Sequence, residues 1–377
     1  MSAGQRDIIA NIERLHHLMD QAHCAAIVVR SGKNVTYLSG FAYPGTLARH
    51  LDFPDSPREI LLVWPRQGEP ALIANHYAAP LARRDSWLSR IEVYEDYAES
   101  PYALMAALLR QLGLHRDTIG FEKTYLSAAR WDETRQLLPE MTMLDCTEMM
   151  AQVRWIKTPG EIRLLKKAAD LLDEAYLEVF ATVRAGETER DIHSRLVQSC
   201  IRRGAGWAHG ILNSHRNTVA YGGEGDTVFE PGDIIRNDYV AYVQGYPGHQ
   251  SRTVVVGEPS EAQRQTYQIM RDIYRRTIEE CRVGIKASAI HAFAEQQFRQ
   301  HGYSDRVSLV GHSVGPWWHQ QEPYLVPTCH QELEAGMVLA LEPHVGYWHL
   351  QDLIEITPDG PNLLSDRFNT DDMFVVG

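Results

Sequence analysis

Cysteine is scarce in this sequence and never closely paired: Cys24, Cys146, Cys200, Cys281 and Cys329 lie far apart, with no Cys-x-x-Cys spacing among them. That arrangement excludes a zinc cage and a disulfide framework, and a reducing cytoplasm is the expected compartment. No uninterrupted apolar run approaches the roughly 18 residues of a membrane-spanning helix. Positive charge is also short, since 37 Lys and Arg face 49 Asp and Glu for a net charge of -12 at pH 7. Without a basic face to displace phosphate counterions, neither nucleic acid nor an anionic membrane is an expected partner. A small molecule or peptide fits better. Low-complexity tracts and repeats with a period of roughly 20 to 50 residues are missing too, which removes solenoid architectures.

What is present is an ordinary globular composition, 44% hydrophobic and 23% charged over 377 residues. At roughly 150 residues per domain this length predicts two domains. The opening MSAGQRDIIANIERLHHLMDQ carries Ile8, Ile9, Ile12, Leu15 and Leu18 at helical spacing behind a Ser2-x-x-Gln5 capping pattern, and is read as an amphipathic helix rather than a signal peptide. Residues 1–154 then alternate short β-rich runs (AAIVVR, EILLVWP, ALIAN, TIGFE) with helical stretches such as ALMAALLRQLGL, an α/β layer pattern. From 155 to 377 the character changes. Thr158-Pro159 opens a long helix, and helical segments at 188–203, 259–282 and 287–301 stand apart from strands such as DIIRNDYVAYV, SRTVVVG, GMVLALEP and LQDLIEIT. Helices segregated from mainly antiparallel strands predict an α+β fold class.

Four stretches concentrate reactive side chains on strands or strand edges. They are Gly232-Asp233-x-x-x-Asn237-Asp238; His249-x-Ser251-Arg252-Thr253; Gly311-His312-Ser313-Val314-Gly315 followed by His319; and Glu342-Pro343 with Gln351-Asp352. Glycines on both sides of His312 suggest close backbone approach. Pro247-Gly248 is expected to turn the chain just ahead of His249 and set it at a strand start. His209 and His215 are candidates for the same pocket, with Trp317 and Trp318 as an apolar wall. For His344, His349, Tyr246 and Tyr347 the sequence does not choose between a site role and a structural one. Asp352 is read as a structural hydrogen-bond acceptor.

In this order the four stretches resemble the pita-bread hydrolases: methionine aminopeptidase, aminopeptidase P, prolidase and the metal-free creatinases. The resemblance spans roughly residues 150 to 370. It implies a creatinase/prolidase-like N-terminal domain over 1–154 and a pita-bread domain, built on a curved mainly antiparallel sheet, over 155–377. Metallopeptidase members hold two metal ions with Asp, Asp, His, Glu and Glu, the second Asp and last Glu bridging the ions. By motif those positions are here Asp238, His249, His312, Glu342 and Gln351. Both bridging carboxylates are missing, and two dications a few ångströms apart need bridging anions to offset their repulsion. A dinuclear centre is therefore not expected.

Three functional readings follow. The leading one is a creatinase-like hydrolase that cleaves an amide-like C-N bond in a small polar metabolite, with no cofactor favoured. The alternative keeps one divalent ion, Fe, Zn or Mn, on His249, His312, Glu342 and Asp238, in an Xaa-Pro dipeptidase- or aminopeptidase-like enzyme. The third is a pita-bread protein that binds a partner without catalysis. In the enzymatic readings His249 is the expected base, because an imidazole titrates near pH 6.5, with Asp238 or Glu342 fixing its tautomer. His312 and His319 are expected to stabilise developing negative charge. The position of creatinase's base histidine is Tyr221 here, and that of its active-site glutamate is Ser251. Tyr221, Tyr246, Trp318 and Gln351 are expected substrate contacts. The resemblance also implies a homodimer in which an arginine from one subunit's N-terminal domain completes the other's site; Arg49, in NVTYLSGFAYPGTLARH, is the matching position.

Overall fold

The computed structural model describes residues 7–43, 56–219, 223–303 and 307–377. Ser2, Gln5, Arg49 and Tyr221 lie outside the described residues. Packing divides the chain into Met1–Arg154 and Trp155–Gly377.

In the first unit the aliphatic runs Ala26–Val29, Leu61–Pro65 and Ala71–Asn75 are buried at every position, as strands covered on both faces must be. They form the middle of a six-stranded mixed sheet in the order Arg90–Tyr94, Ala71–Asn75, Leu61–Pro65, Ala26–Val29, Thr118–Phe121, Thr142–Asp145. Val28, Leu61, Ile73, Tyr102, Leu109 and Phe121 share its core. The first helix is shorter than the sequence predicts. It runs Ile12–Gln21, because Asn11 takes the N-cap and accepts from the Arg14 N–H, so Ile8 and Ile9 precede it and Ile8 is exposed.

The second unit is built twice over from helices laid on a sheet. Helices Pro159–Phe180 and Glu189–Arg202 cover a sheet in the order Phe374–Val376, Val254–Val256, Ile234–Val243, Trp207–Ser214, with Tyr246–Gln250 also paired to Ile234–Val243. The long helix starts as expected: the Thr158 hydroxyl accepts from the Glu161 N–H, Glu161 returns the bond to the Thr158 N–H, and Pro159 needs no donor in the first turn. Helices Glu261–Glu280 and Ala287–Gln300 cover a second, antiparallel sheet, ordered Gln321–Tyr324, Gly311–Ser313, Val338–Leu341, Asp352–Thr357, Gly360–Leu363. The two sheets are tied by one bridge, in which the N–H groups of Ser251 and Gln351 each donate to the other's carbonyl at 3.2 Å. That bridge sits between the motifs carrying His249 and Gln351.

Candidate active site

Strand alternation on the first sheet decides which side chains meet. Asp238 pairs with Ile211 and Val240 with both His209 and His249, so Asp238, His209 and His249 stand on one face. The opposite face packs on the long helix: the Tyr246 hydroxyl donates to Glu161 Oε1 at 3.2 Å and the Gln250 amide to the Ala169 carbonyl at 2.9 Å. Gly248 belongs to that face too. A Cβ there would lie 2.3 Å from the Ala168 carbonyl oxygen, so only glycine lets the strand approach closely enough to set His249 where it is. Pro247 and Gly248 are thus inside the strand, not in a turn. The turn is Gln244-Gly245, both with positive φ, a two-residue hairpin connection.

The second sheet delivers His312, Glu342 and Gln351. Gly311 plays the part Gly248 plays across the site, since a Cβ there would meet the Ala340 carbonyl at 2.6 Å. His312 Nδ1 donates to the Ser313 carbonyl at 2.9 Å, which leaves Nε2 3.5 Å from Glu342 Oε1. Just beyond Glu342 a short hairpin pairs His344 directly with His349. His344 Nδ1 donates to the Glu342 carbonyl at 2.8 Å, and His349 Nε2 stands 3.3 Å from Glu342 Oε2. His312 Nε2, Glu342 Oε1 and both ring nitrogens of His349 are buried without a hydrogen-bond partner.

His249 is placed differently. Its Nε2 is 2.9 Å from Asp238 Oδ1, and its Nδ1 is 3.0 Å from the Gln351 side-chain nitrogen. The Gln351 oxygen accepts from the Ser251 hydroxyl at 2.9 Å, so its NH₂ group faces the ring and can only donate. It lies 3.0 Å from Nδ1 and 3.2 Å from Nε2, so it covers the ring and is not aimed at one nitrogen.

Asp238, His249, Glu342 and His344 line a cavity of about 320 Å³ together with His209, His319 and Leu309. Burial opposes ionisation of Asp238, but the charge and hydrogen bond of His249 outweigh it and hold the carboxyl well below the usual range. Burial pushes Glu342 above its ordinary value and His312 below its own. The His349 imidazole is pushed down to about 4, mainly by burial. His319, pushed down to about 2 by burial and the neighbouring His249 and His312, stacks its ring edge 4.5 Å from His249 and meets the Tyr242 hydroxyl through Nδ1 at 3.2 Å.

Asp238, His249, His312, His319, Glu342 and Gln351 are brought together; Trp318, half exposed, sits 5.4 Å from the His319 ring at the cavity's edge. Tyr246 is a correction: buried on the face of its strand away from His249, it anchors the long helix and is not placed to touch substrate. Sequence reasoning missed two features. His344 and His349 become a facing pair only once the hairpin forms. Arg252, fully buried, ties the two halves together through Asp173 Oδ1 and Asp352 Oδ1, both at 2.6 Å, and through the Gln351 carbonyl at 2.7 Å. Tyr274 donates to the other Asp352 oxygen, and burial raises Asp352 to about 6 despite the arginine.

The profile of Metallopeptidase family M24 matches residues 163–365, more than half of the chain, and that of the Creatinase/Prolidase N-terminal domain matches residues 11–156. The chain belongs to metallopeptidase family M24. It is thus grouped with hydrolases of carbon-nitrogen bonds. A Lactobacillus helveticus protein named Xaa-Pro dipeptidase is 27% identical over 88% of this chain and 92% of its own length. One of the same name from Pyrococcus furiosus is 27% identical over 66% of this chain and 74% of its own. The fold is shared with an X-Pro aminopeptidase from Thermotoga maritima, at a TM-score of 0.82 and 21% identity over 97% of this chain and 99% of that one.

These relatives overturn the leading expectation of a creatinase-like enzyme acting on a small polar metabolite: the similarities include proteins named Xaa-Pro dipeptidase, one of them over 88% of this chain. The expectation that no cofactor is favoured goes with it. The missing bridging carboxylates had argued against two ions, and that argument does not extend to one. Two imidazole nitrogens and a carboxylate oxygen, buried and without partners, are a donor set suited to a divalent ion of the Fe, Zn or Mn type.

Proposed function

We propose that this M24 protein is a hydrolase of Xaa-Pro dipeptides or closely related short peptides that depends on a single divalent metal ion. The observation that carries the reading is the convergence of Glu342 and the Asp238–His249 pair in one cavity, with His312 behind Glu342 at 3.5 Å, while the two bridging positions hold an imidazole and an amide. Its support on the substrate side is the name shared by the relatives that match most of the chain.

When bound, such an ion supplies a polarised peptide carbonyl and a water that ionises near neutral pH. The chain's own groups do the rest. Glu342 is the proposed base in place of His249, whose Nε2 is paired with Asp238 and whose ring is covered by the Gln351 amide. Its carboxylate faces the cavity with one oxygen unpartnered, so it takes the proton from water and returns it to the departing nitrogen. His319, neutral and tied to Tyr242 through Nδ1, offers Nε2 to the developing oxyanion. The Asp238–His249 pair holds one wall of the cavity in place and keeps a fixed negative charge there. Trp318 covers the substrate's apolar side. The proposal also carries a homodimer in which Arg49 of the partner subunit reaches the site.

The test is hydrolysis of a panel of Xaa-Pro dipeptides by chelator-treated protein. Activity is expected to vanish with the metal and return with one equivalent of Mn²⁺, Zn²⁺ or Co²⁺, and Glu342→Gln is expected to lower kcat by about 10²- to 10⁴-fold. Full activity in chelator, or no cleavage by the metal-loaded protein, sinks the reading.

A further inference from the structure

We infer that the single ion is gripped from the second sheet, by Glu342 with His344 and His349 of the hairpin, and not at the Asp238–His249 pair where the family pattern would put a bridging ligand. This rests on the metal-dependent reading above and specifies its ligands.

Distances separate the two halves of the cavity. His249 Nε2 and Asp238 Oδ1 are 2.9 Å apart, an ordinary hydrogen bond. The corresponding pairs around Glu342 are 3.5 Å to His312 Nε2 and 3.3 Å to His349 Nε2, and neither is made as a hydrogen bond. Two ligands on one tetrahedral ion, each about 2.1 Å from it, stand about 3.4 Å from one another. The pair of Glu342 Oε2 and His349 Nε2 already has the spacing of two ligands on one ion, and His312 faces the other oxygen, Oε1. Ligand atoms of Glu342, His344 and His349 all lie within 4.8 Å of one another, so closing them on an ion takes side-chain adjustment without any move of the backbone hairpin.

The imidazoles are also prepared as ligands. A metal-bound histidine usually donates its other ring N–H to a carbonyl or carboxylate, which fixes ring and tautomer. His312 Nδ1 does this to the Ser313 carbonyl and His344 Nδ1 to the Glu342 carbonyl, each leaving Nε2 with its lone pair. His349 is 2% exposed with neither nitrogen bonded, a costly state for a buried imidazole unless something else takes the lone pair. The hairpin explains how both reach the same point. His344 and His349 are direct cross-strand partners with Gly346 at positive φ between them, so both side chains leave the same face. The charge of Arg236 acts on both imidazoles. That arginine's charge opposes a dication, and Glu342 with Asp238 offsets it. One Glu342 oxygen on the ion leaves the other for proton transfer.

The experiment is titration of chelator-treated full-length protein with Co²⁺, read by calorimetry and by the visible absorption of the bound ion. One Co²⁺ per chain is expected. His349→Gln and His344→Gln are expected to weaken binding by at least the roughly 10- to 100-fold that loss of a supporting partner costs, and to change the cobalt spectrum. His249→Gln is expected to lose far less. Circular dichroism and the thermal midpoint of the metal-free variants check folding, and half-buried His344 is the position least able to disturb it. Wild-type affinity in both hairpin variants, or loss confined to His249→Gln, overturns the site, as does absence of cobalt binding by folded protein. Cobalt bound through the hairpin without cleavage of any Xaa-Pro dipeptide keeps the site and sinks the activity. Metal-dependent cleavage whose ion is lost with His249→Gln keeps the activity and sinks the site.

Discussion

The two sheets of the second unit each bring polar groups to one cavity, and they bring them in opposite states. From the first sheet come half-buried Asp238 and buried His249, which pair at 2.9 Å, with the Gln351 amide over the His249 ring. From the second come His312, Glu342 and His349, all buried and left with unpartnered donor and acceptor atoms. Burial alone therefore does not mark a ligand; a buried polar group costs free energy until something pairs with it. In the first half the partner is already in the chain. In the second it is missing, and a cation fits the vacated pairing. Substituting His249 and Gln351 for bridging carboxylates thus does more than remove charge: it lets one half of the site close on itself.

Restoring the lost carboxylates is the strongest way to break that difference. In the double variant His249→Asp/Gln351→Glu the first half again has acceptors only, and two added charges at about 4 Å from a divalent ion contribute on the order of 8 kcal/mol each at an effective dielectric near 20. Metal analysis after equilibration with Co²⁺ is expected to rise from one ion per chain to two. A count that stays at one means that the substitutions are not what limits the site.

Arg252 offers the next largest effect, because it belongs to both halves. Its guanidinium is shared between Asp173, on the long helix, and Asp352, on the second sheet, and it also holds the Gln351 carbonyl. Arg252→Met leaves two buried carboxylates without their cation, which is expected to cost about 3–5 kcal/mol in chemical denaturation. Arg252→Lys is expected to fall between, since an ammonium does not reproduce the fork. A loss under about 1 kcal/mol for Arg252→Met would mean the halves are held by the Ser251–Gln351 bridge and apolar packing instead.

How much of this was legible beforehand follows the range of the interactions. The capped start of the long helix and the strand carrying Asp238 are local, and residue type with spacing was enough to read them. The turn before His249 was misplaced because Pro247-Gly248 is turn-like chemistry by itself. Its glycine answers instead to a helix backbone some 80 residues earlier in the chain, at Ala168. Tyr246 was assigned to the substrate because sequence gives alternation but not which face is which. His344 and His349 stayed undecided for a related reason: five residues apart, they share a face only through the register of a two-stranded hairpin. The absence of carboxylates at the motif's bridging positions led to the wrong substrate class because loss of two ions was taken for loss of metal chemistry.

The smallest expected effect is a pH slope, and it sharpens the contrast at the residue between the halves. His319 is pushed down to about 2 in the folded protein, against an ordinary 6.5, by burial and by His249 and His312. Its folded value is the lower one, so between pH 6.5 and about 2 the unfolded chain binds the extra proton. Stability from keeping this imidazole neutral is then present in full above pH 6.5 and is lost as pH falls. The maximum slope is about 1.4 kcal/mol per pH unit for one group. Glu342 and Asp352, both raised by burial, tilt the curve the other way, so the quantity to read is the difference between wild type and His319→Gln. In metal-free protein that difference is expected to shrink steadily from pH 7 to 5 in urea denaturation. If the two curves run parallel, His319 carries its proton in the folded state and cannot be the neutral hydrogen-bond partner assigned to it.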